Sequence, residues 1–444
     1  MKQRILFIMP SVGRKPNQPY VRSWKMEPLP IAALAALTPS EQFEKYFADD
    51  RIEPIPYDLE VDAVAITTET YTARRAYQIA ARFHARGIPV ILGGFHATLV
   101  PDEAAEHADA ILLGEAEKVW PELLEDLADG ALKPRYQNTE ATNLSGLFPD
   151  RSIYRGKKYI DLAMLETSRG CRYNCEFCSI SAFFQRQWNR RPIEDVTTEI
   201  QKAGKRNWFF VDDNIGADLE RLEKLLRALI PLKIRWVGQI SIESTNHPEL
   251  LKLMKRSGCA GVLIGFESIN EANLEQMGKG INRTVSDYET AIARLRQNGL
   301  SVYGTFVFGY DEDTHETFEE TFAFARRNRL FFAAFNHLVP FPGTPLYRRL
   351  EAEGRLLYDR WWLSPDYRFG DIAFRPKKLS PEELSALCMK YRTKFYSPRS
   401  ILYRGMDLQA NCSNLFMTTL FYAQNVGSLR DIHLRQQLPL GFSE

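Results

Sequence analysis

Short apolar runs alternate with amphipathic stretches over the first 140 residues. Residues 5–9 form an uninterrupted apolar run that ends at Pro10, which is typical of a strand buried on both faces. The runs that follow predict strands at 62–66, 88–92 and 110–114, and helices at 28–37, at 73–86 and ending at residue 127. The pattern predicts a doubly wound parallel sheet over residues 1–140, with ligands beyond the carboxyl ends of its strands.

A second alternating pattern occupies residues 164–360. It predicts six strands, at 164–167, 208–211, 235–238, 261–264, 302–308 and 334–339. Helical patterns separate them, for example at 218–229, 248–257 and 285–298. Six strand–helix units are fewer than the eight of a complete barrel, and the residues that follow the strand ends are the catalytic candidates.

Two further stretches complete the chain. Residues 141–163 are polar, weakly periodic and interrupted by Pro149 and Gly156, so we interpret them as a linker. Residues 361–444 are predicted to be mostly helical, with helices at 381–395, capped by Ser380, and around 415–422. The fold class is therefore α/β with a helical C-terminal region.

Composition and charge exclude several functional classes. The chain has 444 residues with a net charge of +1, so it lacks the basic excess expected of a nucleic-acid-binding protein. No apolar run reaches the roughly 18 residues of a membrane span, and the N-terminal run is too short for a signal peptide. Six cysteines are too few for a disulfide scaffold, so we expect a reducing cytoplasm.

Three of the six cysteines lie within eight positions: Cys171, Cys175 and Cys178. Thiolates select zinc or iron–sulfur clusters. A structural zinc ion needs four ligands, and no fourth Cys or His lies nearby, since the next cysteine is Cys259. Three thiolates on a [4Fe–4S] cluster leave one iron open to an outside ligand. A zinc site completed from elsewhere in the chain is the alternative.

The spacing Cys-x3-Cys-x-aromatic-Cys, with Phe177 in the aromatic place, resembles the radical S-adenosylmethionine (SAM) superfamily. The resemblance implies a [4Fe–4S] cluster whose open iron chelates SAM, reductive SAM cleavage to a 5′-deoxyadenosyl radical, and a reductant such as flavodoxin or ferredoxin. It also implies a partial (β/α)6 barrel, in agreement with the six strand–helix units.

The resemblance extends to residues after the second and fourth barrel strands. Asp212 and Asp213 occupy the place where relatives hold the SAM amino group, although Asp213 could also be a helix N-cap. Glu267 is where relatives place a carboxylate near the ribose hydroxyls; a cap at the strand end is the alternative.

The fifth and sixth strands carry weaker matches. Thr305 and Gly309 lie in a strand that resembles the one near adenine in the superfamily, with Thr305 and Val307 replacing its usual Gly and Ile. Val339 begins a turn common in this branch, which its prolines alone also explain. His337 is either a packed strand residue or a residue facing the active site.

The first region resembles the N-terminal domain of the cobalamin-binding class of the superfamily. The matching segments are 28–31, 93–104 and 114–117, and the whole resemblance spans about residues 1–350. The Asp-x-His-x-x-Gly motif that supplies a lower cobalt ligand in many such domains is missing. His96 is the one histidine of the region on a loop, where a simple polar role is favoured. Bound cobalamin and loss of cobalamin both stay open.

The favoured function is cobalamin-dependent methyl transfer to a small molecule. The alternative is a cobalamin-independent radical SAM enzyme that transfers another SAM-derived group, such as 3-amino-3-carboxypropyl, or rearranges or oxidises a small molecule. A non-enzymatic sensor and a tRNA-modifying enzyme fit less well. The basic and aromatic loop 14–25 covers a cofactor, binds an anionic substrate group or is simply solvated. Cys259, Cys388 and Cys412 are expected to be buried apolar residues, unless two of them converge on a soft metal.

Overall fold

The computed structural model describes residues 2–15, 17–21, 25–279 and 285–442; the side chains of 285–287 are not described. Arg22 and Trp24 of the basic loop therefore lie outside the described residues. The strands are β1 (Gln3–Met9), β2 (Phe43–Asp49), β3 (Ala63–Thr67), β4 (Val90–Gly93), β5 (Ala110–Leu113), β6 (Arg135–Gln137), β7 (Ala163–Leu165), β8 (Ser168–Gly170), β9 (Trp188–Arg190), β10 (Asn207–Phe210), β11 (Arg235–Gln239), β12 (Cys259–Glu267), β13 (Ser301–Phe308) and β14 (Phe332–His337). The helices are α1 (Leu29–Leu37), α2 (Ala73–His84), α3 (Phe95–Leu99), α4 (Pro101–Ala105), α5 (Trp120–Ala128), α6 (Ser179–Phe184), α7 (Ile193–Ala203), α8 (Leu219–Leu229), α9 (Pro248–Arg256), α10 (Glu271–Gln276), α11 (Val285–Gln297), α12 (His315–Arg327), α13 (Pro345–Ala352), α14 (Pro381–Phe395), α15 (Pro398–Gly405) and α16 (Leu415–Arg435).

The first sheet is parallel throughout, in the order β2-β1-β3-β4-β5-β6. Leu6 and Ile8 of β1 pack into the core on one face, and Ile5 and Phe7 into the core on the other. This burial on both faces explains the uninterrupted apolar run. The strand order reverses around β1, so the ligand crevice of such a sheet lies beyond the ends of β1 and β3. The predicted doubly wound sheet is confirmed.

The second sheet has the order β7-β10-β11-β12-β13-β14, with all neighbours parallel. Its strands follow chain order, as in a barrel, but β7 and β14 do not pair in the described structure, so the barrel is open along one side. Along β13, Val302 and Phe306 pack into the core, whereas Tyr303 and Thr305 between them are half-buried. This alternation directs the second pair into the barrel interior. The partial six-unit barrel is confirmed.

Four strands of the structure were not predicted from the sequence. They are β2 and β6, which extend the first sheet on its two edges, and β8 and β9, which form an antiparallel pair whose connecting segment, 171–187, contains all three clustered cysteines. In the stretch interpreted as a linker, Tyr154 is buried in the core of the first sheet and donates to the carbonyl of Pro28 at 2.7 Å. That stretch is therefore packed against the first sheet.

The C-terminal helices cover the free edge of β14. Arg392 of α14 donates to the carbonyl of Phe335 at 2.8 Å, and Tyr396 donates to that of Ala333 at 3.2 Å. Ser380 caps α14 by accepting from the Glu383 amide at 3.1 Å, as predicted. The helix predicted around 415–422 is α16 and extends to Arg435.

Other parts of the C-terminal region return to the first sheet. Trp361, Trp362, Tyr367 and Leu440 are all buried in the core on the α2 side of that sheet. The last described residues also join the chain near its start, because the Gly441 amide donates to the carbonyl of Val12 at 2.8 Å. The C-terminal region thus packs on both sheets. Among the described helices, none has the length and apolar character needed to span a bilayer.

Candidate active site

The three clustered cysteines follow β8, at the carboxyl ends of the barrel strands. Gly170 precedes Cys171 with a φ of +86°, and a Cβ there would lie 2.2 Å from the Gln187 carbonyl oxygen, so only glycine fits. Cys175 is buried, while Cys171 and Cys178 are half-buried. The hairpin thus begins the cysteine loop with a fixed turn.

Electrostatic coupling places the three thiols in one neighbourhood. Burial raises the pKa of the Cys175 thiol to about 11, with Cys178 and Cys171 raising it further and Lys279 opposing the shift. The pKa of Cys171 is also raised, chiefly by burial and in smaller part by Cys178 and Asp213. The thiols, one carboxylate and one ammonium group therefore share a partly buried space.

Asp212 fixes the strand end next to the cysteine loop. Its carboxylate accepts from the Thr167 amide at 3.0 Å, the Thr167 hydroxyl at 2.7 Å and the Ser168 hydroxyl at 2.6 Å. These bonds join the end of β10 to the segment between β7 and β8. The side chain predicted to contact SAM is thus occupied by protein donors, and its evident role here is positioning.

Asp213 is better placed to meet a ligand. It is half-buried and accepts one hydrogen bond, from the Gly170 amide at 3.1 Å, among the described residues. Burial raises its pKa to about 6, and the charge of Asp212 adds to the shift. A carboxylate with few partners beside the thiols suits a cationic ligand group.

Glu267 ends β12 in a strained conformation, with a φ of +63°. Such strain at a non-glycine residue is common at functional sites. The Lys279 ammonium group donates to the Glu267 carboxylate at 2.6 Å and to the Gly265 carbonyl at 2.7 Å. Sequence reasoning missed Lys279, which has no motif around it; its charge acts on both Cys171 and Cys175.

Arg169 connects the cysteine loop to the first sheet. Its guanidinium pairs with Glu166 at 2.8 Å, with Glu115 at 2.7 Å and with Glu117 at 2.8 Å. Glu115 and Glu117 follow β5, so two of the three partners come from the first region. The side chain is 18% exposed, which makes this a partly desolvated ion-pair network. The network holds the strand ends of the two sheets against each other.

Comparison with known proteins identifies the barrel. The model of the radical SAM superfamily matches residues 165–325, which contain the three cysteines, Asp212, Asp213, Glu267 and Lys279. A bacteriochlorophyllide d C-12(1)-methyltransferase of Chlorobaculum tepidum is 33% identical, over 85% of this chain and 84% of that protein. The chain belongs to the radical SAM superfamily. It is accordingly an enzyme, and [4Fe–4S] and SAM are the cofactors of its family.

The similarity to radical SAM relatives covers both sheets. A bacteriochlorophyllide d C-8(2)-methyltransferase of the same organism is 30% identical over 88% of this chain and 90% of that protein. The solved radical SAM methyltransferase TsrM of Kitasatospora setae superposes with a TM-score of 0.69 at 17% identity, covering 97% of this chain and 99% of its own. The cobalamin-dependent enzyme OxsB gives 0.67 at 14% identity, covering 97% of this chain and 72% of its own. The solved structures thus share the whole fold.

The donor set of the cysteine loop suits an iron–sulfur cluster. Among the described residues, no three Cys, His, Asp or Glu side chains are close enough together to hold one metal ion. Zinc requires its ligands to converge on one point, whereas a [4Fe–4S] cluster receives each thiolate on a different iron. The donor set of three coupled thiols therefore suits the cluster of the superfamily.

The remaining predicted radical SAM residues lie at several depths. Phe177 packs against the barrel core, and Thr305 is half-buried on the interior face of β13. Gly309 is buried at the end of that strand with a φ of +114°, and its amide donates to Asp313 at 2.8 Å, which suits a turn. Val339 packs against the core of the first sheet. The structure therefore brings Thr305 to the interior and gives Gly309 and Val339 packing roles.

His96 is enclosed by protein. It is fully buried at the strand ends of the first sheet, with Nε2 at 2.9 Å from Glu103 and Nδ1 at 3.3 Å from the Thr70 hydroxyl. Glu103 also accepts from Tyr77 and Trp362, at 2.9 and 3.0 Å. Both ring nitrogens are engaged, so His96 is a structural residue and is not available to ligate cobalt from below.

Proposed function

We propose that this radical SAM enzyme is a cobalamin-dependent methyltransferase acting on a small molecule. The observation that carries the proposal is the junction at Arg169, which fixes the strand ends of a doubly wound sheet against the cluster loop. Ligands of such sheets bind beyond their strand ends. The two relatives described above are methyltransferases by name and align across both regions, which supports the same reading.

Several side chains have defined tasks in this proposal. Cys171, Cys175 and Cys178 would hold the cluster, which supplies the electron that cleaves SAM to a 5′-deoxyadenosyl radical. Asp213 would accept from the SAM ammonium group, and Lys279 would donate to its carboxylate. Opposite charges at these two positions orient a zwitterion in one direction.

Glu267 and Thr305 would contact the nucleoside part of SAM from the neighbouring strands β12 and β13. Phe177 would shield the cluster loop from water through its packing on the barrel core. In the first region, the engaged side chain of His96 means that cobalamin would bind without a histidine below the cobalt.

Partners and location follow from the same chemistry. A reductant such as flavodoxin or ferredoxin would deliver electrons to the cluster, and neither nucleic acid nor a membrane would be a partner. The cytoplasm is the proposed location, because thiolate-bound clusters require reducing conditions.

The test is anaerobic incubation of the reconstituted chain with dithionite, hydroxocobalamin and SAM carrying a deuterated methyl group. We expect S-adenosylhomocysteine that depends on added cobalamin, and 5′-deoxyadenosine that depends on the cluster, both measured by mass spectrometry. Absence of hydroxocobalamin binding would rule out the cobalamin-dependent reaction. Methylthioadenosine as the main product would instead establish transfer of the 3-amino-3-carboxypropyl group.

A further inference from the structure

The cysteine loop reaches the surface of the molecule on one side. Residues 172–174, between the first two cysteines, are exposed, and so are residues 185–187 before β9. The two stretches are brought together because Gly170 is the ladder partner of Trp188. Ladder partners in an antiparallel pair have Cα atoms about 5 Å apart. An exposed surface therefore adjoins the half-buried Cys171.

This surface carries an excess of positive charge. Segment 171–190 contains three arginines and one carboxylate. The arginines are Arg172, Arg186 and Arg190, and all three are exposed. The carboxylate is that of Glu176, which already forms an ion pair with Arg349 at 2.9 Å. The segment itself thus offers its arginines no free counter-ion.

Carboxylates of neighbouring elements compensate this charge only in part. Arg190 pairs with Asp218, at the start of α8, at 3.4 Å. Glu243 lies near the exposed Tyr173, whose pKa rises to about 12 through burial and, in smaller part, through this carboxylate. Among the described residues, no carboxylate lies within ion-pair distance of either of the other two arginines. Two of the three guanidinium groups therefore keep an uncompensated charge.

Trp188 gives these arginines a fixed base. The Arg172 guanidinium lies 4.3 Å from the centroid of the Trp188 ring, and that of Arg190 lies 5.2 Å from it. Both distances are those of cation–π contacts. Arg186 precedes Trp188 by two residues, so their Cα atoms are within about 7 Å of each other. The three charges are therefore grouped around one aromatic ring.

The register of β8 and β9 places this group on the outer side of the molecule. Arg169 and its ladder partner Asn189 lie on the opposite face, where both side chains contact Glu115 of the first region. Successive side chains of a strand point to opposite faces. Trp188 and Arg190 therefore point away from the first sheet, toward solvent and α8.

The backbone that carries Arg186 is held in place. The Phe183 ring of α6, just before this turn, stacks on Phe95 of the first region at 4.3 Å. Gln185 and Arg186 then both adopt left-handed conformations, with φ of +48° and +67°. Such strain in residues other than glycine is common at functional sites. The turn thus presents an exposed arginine in a defined direction.

We propose that the arginine surface, formed by Arg172, Arg186, Trp188 and Arg190, is the docking site of a small acidic protein that carries one electron. Complementary charge steers such a partner and sets its orientation. Docking here brings its redox group next to Cys171 and hence next to the cluster. One electron then passes from the reduced carrier to the oxidised cluster, and no bond forms or breaks.

The size of the arginine surface favours a protein over a nucleic acid. A nucleic-acid site needs a basic stripe that follows several phosphates. Three arginines on a chain with a net charge of +1 form a patch and not a stripe. The inference rests on the cluster of the proposed function but not on cobalamin or on methyl transfer.

The binding test uses the full chain with its cluster, and a flavodoxin and a ferredoxin of net negative charge as probes. Anaerobic titration calorimetry should show binding that weakens steeply between about 50 and 300 mM salt. Arg172→Glu combined with Arg186→Glu should weaken it at least about tenfold at low salt. Arg256→Glu is the matched control and should bind like the wild type, because Arg256 is exposed but ends α9 at the amino ends of the barrel strands.

A second measurement separates docking from damage to the cluster. Stopped-flow absorbance follows reduction of the cluster by reduced flavodoxin and, separately, by dithionite, which is too small to need a docking surface. The double variant should be reduced about tenfold more slowly by flavodoxin but at the wild-type rate by dithionite. Arg186→Glu alone is the second variant should the double variant lose iron, and it should slow the flavodoxin reaction several-fold.

Three outcomes would overturn the proposal: no binding of either carrier by the wild type, equal binding by the double variant and Arg256→Glu, or equal slowing with both reductants. A single-stranded RNA that binds more tightly than flavodoxin, and is released by the double variant, would assign the surface to nucleic acid and also refute it. Failure of the wild type to assemble a cluster would instead contradict the proposed function, so the two failures are distinguishable.

Discussion

The strand ends of the first sheet and those of the barrel face each other, but their polar groups are used differently. At the first sheet, His96, Glu103 and Trp362 satisfy one another in a fully buried network. At the barrel, the thiols are free, Asp213 has a raised pKa, and Glu267 is held in a strained conformation beside Lys279. The difference indicates that the polar groups at the first sheet have a structural role, whereas those at the barrel are available to a ligand.

Electrostatics reinforce this difference. Burial opposes ionisation of Glu103, yet hydrogen bonds from His96, Trp362 and Tyr77 outweigh it and lower the pKa of Glu103. Few hydrogen bonds oppose the effect of burial on Asp213, so the pKa of Asp213 rises. A carboxylate that protein donors already stabilise has little to offer a ligand. Polar content at a strand end is thus a poor guide to the site, and unsatisfied polar content is a better one.

The largest effect should come from removing the thiols at the barrel strand ends. Cys171→Ala, Cys175→Ala or Cys178→Ala should each abolish cluster assembly and SAM cleavage, because no other thiol in the loop can replace the missing ligand. Iron content, Mössbauer spectra and 5′-deoxyadenosine formation measure this. Cys412→Ala is the matched control and should retain full iron; wild-type iron and turnover in any loop variant would refute the assignment.

Removing Arg169, which connects the strand ends of the first sheet to those of the barrel, should have the next largest effect. Arg169→Gln leaves Glu115, Glu117 and Glu166 close together without their cation, which should cost about 3–5 kcal/mol locally. We expect a lower melting temperature of the metal-free chain and faster hydrogen exchange in the segments after β5 and around β8. Arg190→Gln, an exposed residue of β9, serves as the control. Unchanged exchange in both segments would contradict the junction.

A smaller effect is expected from the cation that sequence reasoning missed. Lys279→Met should weaken SAM binding by about 10- to 100-fold, since a charge-assisted hydrogen bond to the SAM carboxylate is lost and Glu267 is left unpaired. Equilibrium dialysis with SAM measures the change. Lys252→Met, on the exposed face of α9, should bind SAM like the wild type. Equal affinity in the two variants would remove Lys279 from the site.

The smallest effect is expected from a change to the buried network around His96. The electron paramagnetic resonance spectrum of bound cob(II)alamin should lack nitrogen splitting from a protein histidine, and His96→Asn should leave it unchanged. The variant should nevertheless lose about 1–3 kcal/mol of stability, because Glu103 and Thr70 each lose a buried partner. Nitrogen splitting that disappears in His96→Asn would show that His96 leaves its network to bind cobalt.

The fold was largely predictable where one physical signal dominated. All six barrel strands contain consecutive apolar residues, and each lies within a few residues of its predicted position. The missed strands have weaker signals: β2 mixes charged and apolar residues, and β6 has three residues at a sheet edge. The β8–β9 hairpin is polar and short, so local pattern could not reveal it. Its pairing depends on Gly170, whose required conformation is visible only in three dimensions.

Site residues that belong to a sequence motif could be predicted. Residues whose role depends on tertiary contacts could not. The three cysteines were located by spacing alone. Adjacent identical residues, Asp212 and Asp213, could not be assigned separate tasks, because their roles depend on which donors the β7–β8 segment presents. Arg169 and its partners Glu115 and Glu117 are more than 50 positions apart, so no local pattern connects them.

The return of the C-terminal region to the first sheet has a consequence for synthesis of the chain. Leu440 and Trp361 fill the core of a sheet whose first strand begins at Gln3, so this sheet lacks part of its interior until the residues more than 350 positions later have been synthesised. Apolar surface exposed for that interval is prone to aggregate. Expression at low temperature or with chaperones should therefore raise the yield of folded protein.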